Sequence, residues 1–286
     1  TVWTTVQAVL APLQFLVFLV SLALVLTALF ADTAHAAAAD ARAWTSWPAG
    51  EVEEVARILD GHTMELASGL LVRLAEVEAP KVWPGDDDDP ELRRLERDAR
   101  RALESFARGR SVELRYVGPR RDRHLRALAH VLVQAQDGGA PVWLQEALVE
   151  AGAVYVRTSL DARAGAPLLL ALEDEARSAG RGLWAARRYR PRKASEVEMP
   201  TRDFAIVEGE VAEAADVRGR VYLNFGADYR SDFTISLAPK TAKLFRAEGV
   251  APLAYEGRRV RVRGWVDSFN GPLIEATHPE QIEVVP

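Results

Sequence analysis

Hydrophobic and polar positions in this chain are first segregated, and only later do they alternate. Thr1 to Ala31 contain no charged residue, and Val9 to Phe30 are almost wholly apolar. As a helix rising about 1.5 Å per residue, that run spans roughly 33 Å, the thickness of a bilayer core. We therefore expect residues 1–31 to form a single transmembrane helix, with Pro12 and Gln14 near one end, where a missing N–H or a polar side chain costs least. A secretory signal peptide is the alternative, because Ala34-His35-Ala36 has the look of a cleavage site, although the apolar run is long for one. The export-like stretch Ala34 to Ala39 leads us to expect the N-terminus inside and the soluble part on the periplasmic side.

After an Ala-rich tether at 32–46, the pattern changes to short alternating runs and one strong helical period. Val52 to Ile58, Thr63 to Leu66 and Leu70 to Leu74 are separated by Asp60-Gly61 and Ser68-Gly69, which predicts a three-strand meander. Glu91 to Ala107 carries Leu92, Leu95, Ala99, Ala102, Leu103 and Phe106 at helical spacing, with Asp86 to Asp89 and Pro90 suited to the helix start. Ca²⁺ chelation by the aspartate run is the alternative, but it requires a loop that wraps its ligands. Strands at Arg110 to Val117 and Leu128 to Val133 follow, then helices at Trp143 to Ala151 and Pro167 to Ala179. Five strands with a helix between the third and fourth is the order of an OB-type barrel over 47–188.

Residues 189–202 are rich in Arg, Pro, Ser and Glu and read as an exposed linker. From 203 to 286 the strand order repeats: Val207 to Ala212, Arg220 to Phe225, Asp232 to Leu237, a helix at Thr241 to Glu248, then Arg259 to Val266 and Leu273 to Val285. The expected fold class is thus α+β, one N-terminal transmembrane helix followed by two OB-like barrels. Arg261 and Arg263 fall on one face of a strand, and Tyr222, Phe225, Tyr229, Phe233 and Trp265 offer rings, the grammar of single-strand binding. Most of those rings, however, occupy inward strand positions.

Charge and composition narrow the chemistry. The net charge is −5, and acids outnumber bases in each soluble region, so no broad positive field recruits nucleic acid. The absence of cysteine removes disulfides, thiolate nucleophiles and Cys-ligated zinc.

Ile58-Leu59-Asp60-Gly61-His62-Thr63, Val72-Arg73-Leu74-Ala75-Glu76-Val77-Glu78-Ala79-Pro80, Asp122-Arg123-His124-Leu125-Arg126 and Gly182-Leu183-Trp184 together resemble the staphylococcal-nuclease (thermonuclease-like) family. The resemblance implies a Ca²⁺-dependent phosphodiesterase site with two metal carboxylates, a Glu base and two arginines clamping the phosphate. Arg73 and Arg126 match the arginines, and Asp60 matches the first acid of the turn. His62 stands in place of a metal carboxylate, Glu78 replaces the other with a longer acid, and Lys81 replaces the base. A protonated Lys cannot accept a proton from water, and imidazole is a poor ligand for a hard cation. We therefore expect a degenerate, pseudoenzyme-type site with no metal or other cofactor, in which Arg73 and Arg126 remain phosphate-binding candidates, with pairing of Arg73 to nearby Glu76 or Glu78 as the alternative.

Val2-Trp3-Thr4-Thr5-Val6-Gln7 and Ala11-Pro12-Leu13-Gln14-Phe15 resemble the first transmembrane segment of 2-vinyl bacteriochlorophyllide hydratase, which implies a photosynthetic membrane. The functional expectation is a non-catalytic, membrane-anchored accessory subunit. Its partners would be the lipid bilayer and a membrane complex such as the photosynthetic reaction centre and its light-harvesting antenna. A membrane-tethered Ca²⁺-dependent nuclease and a non-catalytic nucleic-acid-binding module are the alternatives.

Overall fold

The computed structural model describes residues 43–83, 89–197, 204–228 and 230–285. The expected transmembrane helix, nearly all of the tether and Asp86 to Asp88 lie outside them. Among the described residues no helix is long and apolar enough to cross a membrane.

Trp47–Pro286 form one compact unit. Its first half begins with β1 (Ala49–Ile58), β2 (Thr63–Leu66), β3 (Leu71–Leu74) and β4 (Val77–Glu78). Next come α1 (Pro90–Ala107), β5 (Ser111–Arg115), β6 (Ala127–Val133), β7 (Val142–Trp143), α2 (Leu144–Glu150), β8 (Tyr155–Val156) and α3 (Ala166–Ser178). The sheet runs β3-β2-β1-β5-β6-β7, and the parallel pairing of β3 with β6 closes five strands into a barrel. The long β1 serves both sides, pairing with β5 through Ala49–Glu54 and with β2 through Val55–Ile58. Val55, Ile58, Met64, Leu74, Leu114 and Leu132 fill the interior. The α1 start follows from Asp89, whose carboxylate accepts the Leu92 N–H at 2.9 Å, with Pro90 in the first turn.

The second half comprises β9 (Arg192–Lys193), β10 (Phe204–Glu210), β11 (Glu213–Val217), β12 (Arg220–Asn224), β13 (Thr234–Leu237), α4 (Pro239–Ala247), β14 (Arg259–Ser268), β15 (Pro272–Ala276) and β16 (Ile282–Val284). They form a second curled sheet in which β13 and β15 pair in parallel, as β3 and β6 do, around a separate core that includes Leu223, Ile235, Phe245 and Val262. Phe233 belongs to this core and Phe225 packs against it, the two rings meeting edge-to-face at 5.2 Å, as their inward positions predict, and Tyr229 lies outside the described residues.

Part of the presumed linker belongs to the sheet, because Arg192 and Lys193 pair in parallel with Val207 and Glu208, and Ala194 is buried in the second core. Arg261 and Arg263 do not form a free nucleic-acid face. Arg263, 1% exposed, pairs with Glu173 at 2.8 Å and Glu283 at 2.7 Å. Arg261 pairs with Glu208 at 2.6 Å and Asp174 at 3.0 Å. Glu173 and Asp174 belong to α3, so these arginines join the two halves. At the rim of this contact Arg163 bridges Glu248 and Glu280, and Thr158 meets His278 at 2.7 Å.

Candidate functional site

The residues singled out in the sequence converge at one end of the first barrel. Asp60 accepts the backbone N–H of His62 at 2.9 Å, while Leu59 and Asp60 both donate to the Thr63 carbonyl, a tight turn into β2. Gly61 is required there for space, because a Cβ would lie 2.6 Å from Ala79 Cβ and 2.7 Å from Ala99 Cβ. Thr63 is the cross-strand partner of Arg73, and β4 brings Glu78 back beside it. Arg126 enters from the loop before β6, where Leu125 adopts a positive φ of 64°.

Glu78 is the hub. Its Oε2 accepts from Arg73 at 2.6 Å and from Arg157, and its Oε1 faces His62 Nε2 at 3.5 Å. Burial opposes ionisation of Glu78, but Arg73, His62 and Arg157 outweigh it and hold the carboxyl below its usual range. Burial pushes the His62 imidazole down despite Asp60 and Glu78, favouring the neutral ring. Its Nδ1 accepts the Ala79 N–H at 3.4 Å, which leaves Nε2 as the protonated nitrogen toward Glu78. Arg126 is held by Asp122 through Nε and Nη2, both at 2.7 Å, and by Thr63 Oγ1 at 3.4 Å. Lys81 turns away, its ammonium 4.6 Å from the Trp83 ring centroid.

This donor set does not fit a hard divalent cation. One of the two carboxylates a metal would need is shared between two guanidinium groups, and a neutral imidazole with both nitrogens engaged separates it from Asp60. Among the described residues no group of three His, Asp or Glu side chains is arranged to hold a metal ion. Lys81 does not approach these acids either, since its ammonium lies over the Trp83 indole.

Residues 71–186 match the staphylococcal nuclease homologue family. The matched segment includes Arg73, Glu78, Lys81 and Arg126, while Asp60 and His62 precede it. Residues 1–45 match the 2-vinyl bacteriochlorophyllide hydratase family. No curated protein matches the chain.

Sequence reasoning missed Arg157. It follows the two-residue strand β8, whose pairing of Tyr155 with Glu78 carries it to the hub. The apolar-polar alternation around Tyr155-Val156-Arg157 was the available signal, too short to stand out beside the helices that flank it. Glu76 was expected near Arg73 but faces the opposite way. Its φ is 63°, and its carboxylate meets His130 at 3.1 Å in a fully buried pair beneath Trp47.

Proposed function

We propose that the chain is a catalytically silent, membrane-anchored accessory subunit of a membrane protein complex. The photosynthetic reaction-centre and antenna assembly is the complex that the N-terminal similarity favours. The observation that carries the first part is the Glu78 hub: the arginine that would clamp a phosphate and the acid that would hold a metal neutralise each other, with Arg157 completing the pair. Arg126 is similarly occupied by Asp122. In a nuclease these groups would be kept available for the charge that develops on the phosphoryl oxygens. The match of residues 1–45 to a bacteriochlorophyllide-modifying family supports a place in a phototroph's inner membrane, and the export-like stretch Ala34 to Ala39 favours the periplasmic side for the rest of the chain. Hydratase activity is not part of the proposal.

Two measurements test it. Incubation with single-stranded DNA and millimolar Ca²⁺ is expected to give no cleavage, and metal-dependent cleavage abolished by Arg126→Ala would overturn the silent site. Purification from membranes in mild detergent is expected to bring pigment–protein subunits with the chain. Recovery of the chain alone, in mild detergent at wild-type expression, would refute the accessory role.

A further inference from the structure

A cavity of about 430 Å³ opens beside Glu78, and it is walled by both halves of the molecule. That volume lies within the range of small-molecule sites. Arg73 and Arg126, the pair matching the family's phosphate clamp, do not line it. From the first half come Lys81, Trp83, Tyr155 and Arg157, and from the second come Phe204 and Trp265.

Two properties of the wall define what would fit. The first is charge: Arg157, Arg190, Arg192 and Lys81 line the cavity together with Arg188, which also pairs with Asp89 at 3.2 Å, and Glu78 is the only acid among the described lining residues. That acid is already shared by Arg73 and Arg157. The second is a row of rings. Tyr155 lies 5.8 Å from Tyr189 and 5.2 Å from Phe204, the latter at 30°, and Phe204 meets Trp265 edge-on at 6.2 Å. The Arg157 guanidinium sits 6.0 Å from the Phe204 ring and 5.6 Å from that of Trp265, so cation and ring faces are presented together.

The wall is held in place by backbone pairing. Phe204 and Trp265 are cross-strand partners on β10 and β14, and Tyr155 is fixed opposite Glu78 by the β4–β8 pair. The Val156 N–H donates to Glu173 Oε1 at 2.6 Å and the Val156 carbonyl accepts from Arg263 at 3.1 Å, so the buried inter-barrel ion pair grips the strand that carries Tyr155 and Arg157. Trp265 is nonetheless 49% exposed, an unusual position for an indole set beside an arginine.

We propose that this cavity binds a small planar aromatic anion, its ring lying along the Tyr155–Phe204–Trp265 row and its carboxylate or phosphate meeting Arg157 and its neighbouring cations. Guanidinium forks accept either oxyanion, so the shared chemistry is an aromatic ring bearing one. The second barrel then has a definite role, since without Phe204 and Trp265 half of the stacking wall is missing. The proposal does not depend on the absence of cleavage at Glu78.

Calorimetric titration of the full chain in mild detergent tests it, with 2-naphthoate and 2-naphthyl phosphate as probes. Neutral 2-naphthamide, inorganic phosphate and a thymidine oligonucleotide serve as comparisons. Saturable binding of at least one aromatic anion is expected, with naphthamide weaker by about tenfold, and the tighter arm identifies carboxylate or phosphate. Trp265→Ala is expected to weaken binding by about tenfold without changing the melting curve, while Phe269→Ala, an exposed ring outside the cavity, keeps wild-type affinity. Equal affinity for naphthamide, or no effect of Trp265→Ala, would overturn the proposal. Tighter, Trp265-dependent binding of the oligonucleotide would replace it with single-strand recognition.

Discussion

Replacing Arg263 with Met should be among the most damaging single changes in the molecule. Arg263 is 1% exposed and Glu173 is fully buried, so the change leaves an acid in a dry contact without its principal partner. Breaking a buried pair in this way costs about 3–5 kcal/mol. Glu173 would keep the Val156 N–H at 2.6 Å and Arg177 at 3.4 Å, and Glu283 is partly solvated, which places the loss near the lower end, about 3 kcal/mol. Glu173→Gln in the same background removes the stranded charge while retaining an acceptor for Val156. The double variant should then recover about 2 kcal/mol relative to the sum of the single changes. Urea unfolding followed by tryptophan fluorescence measures all four corners of this cycle. A cost of less than about 1 kcal/mol for Arg263→Met, the level of an exposed ion pair, or two single effects that simply add, would mean that the pair is not a desolvated one.

Acid should loosen the same contact from another point. Burial lowers the His278 imidazole from 6.5 to about 4, so the folded state binds its proton less readily than the unfolded chain. Its contribution is complete above 6.5 and is lost as the pH falls toward 4, a drop of about 3 kcal/mol at 1.36 kcal/mol per unit. A pH series of melting temperatures should lose part of this acid slope in His278→Gln, and an unchanged slope would count against the assignment. Gly61→Ala should cost about 1–3 kcal/mol by overpacking against Ala79 and Ala99, as chemical denaturation would show, whereas a neutral result would mean that the turn shifts freely. Glu78→Gln uncovers Arg73 and Arg157, so inorganic phosphate should bind about tenfold more tightly by calorimetry. No gain would mean that the two guanidinium groups remain satisfied by other partners.

The local periodicities were the most legible part of the fold. The meander, α1 with its acidic start, and the repeated strand order of the second half all follow from alternation, helical spacing and turn residues that act within a few positions. The convergence of the candidate residues could also be read, since Asp60, His62, Arg73, Glu78 and Arg126 meet where the motifs imply, and the suggestion that Arg73 pairs with a nearby acid is realised in Glu78. Lys81 alone points elsewhere. The contact between the halves could not be read. Arg263 and Glu173 are 90 positions apart, and the alternation that placed Arg261 and Arg263 on one strand face does not say whether that face meets water, nucleic acid or α3. The cavity was hidden for the same reason, because Tyr155 and Trp265 become neighbours only after both sheets have curled and docked.

Joining two β-sheets through desolvated charges gives the contact an uncommon response to its surroundings. Mobile ions screen charges that they can approach, so added salt should weaken the rim bridges of Arg163 to Glu248 and Glu280 while leaving the Arg263–Glu173 bond almost untouched. Heating acts in the opposite sense to its effect on many interfaces, because the hydration that these ions gave up becomes less favourable as temperature rises. The seam between the halves should therefore tighten, relative to the apolar cores on either side of it, as the molecule approaches its melting point.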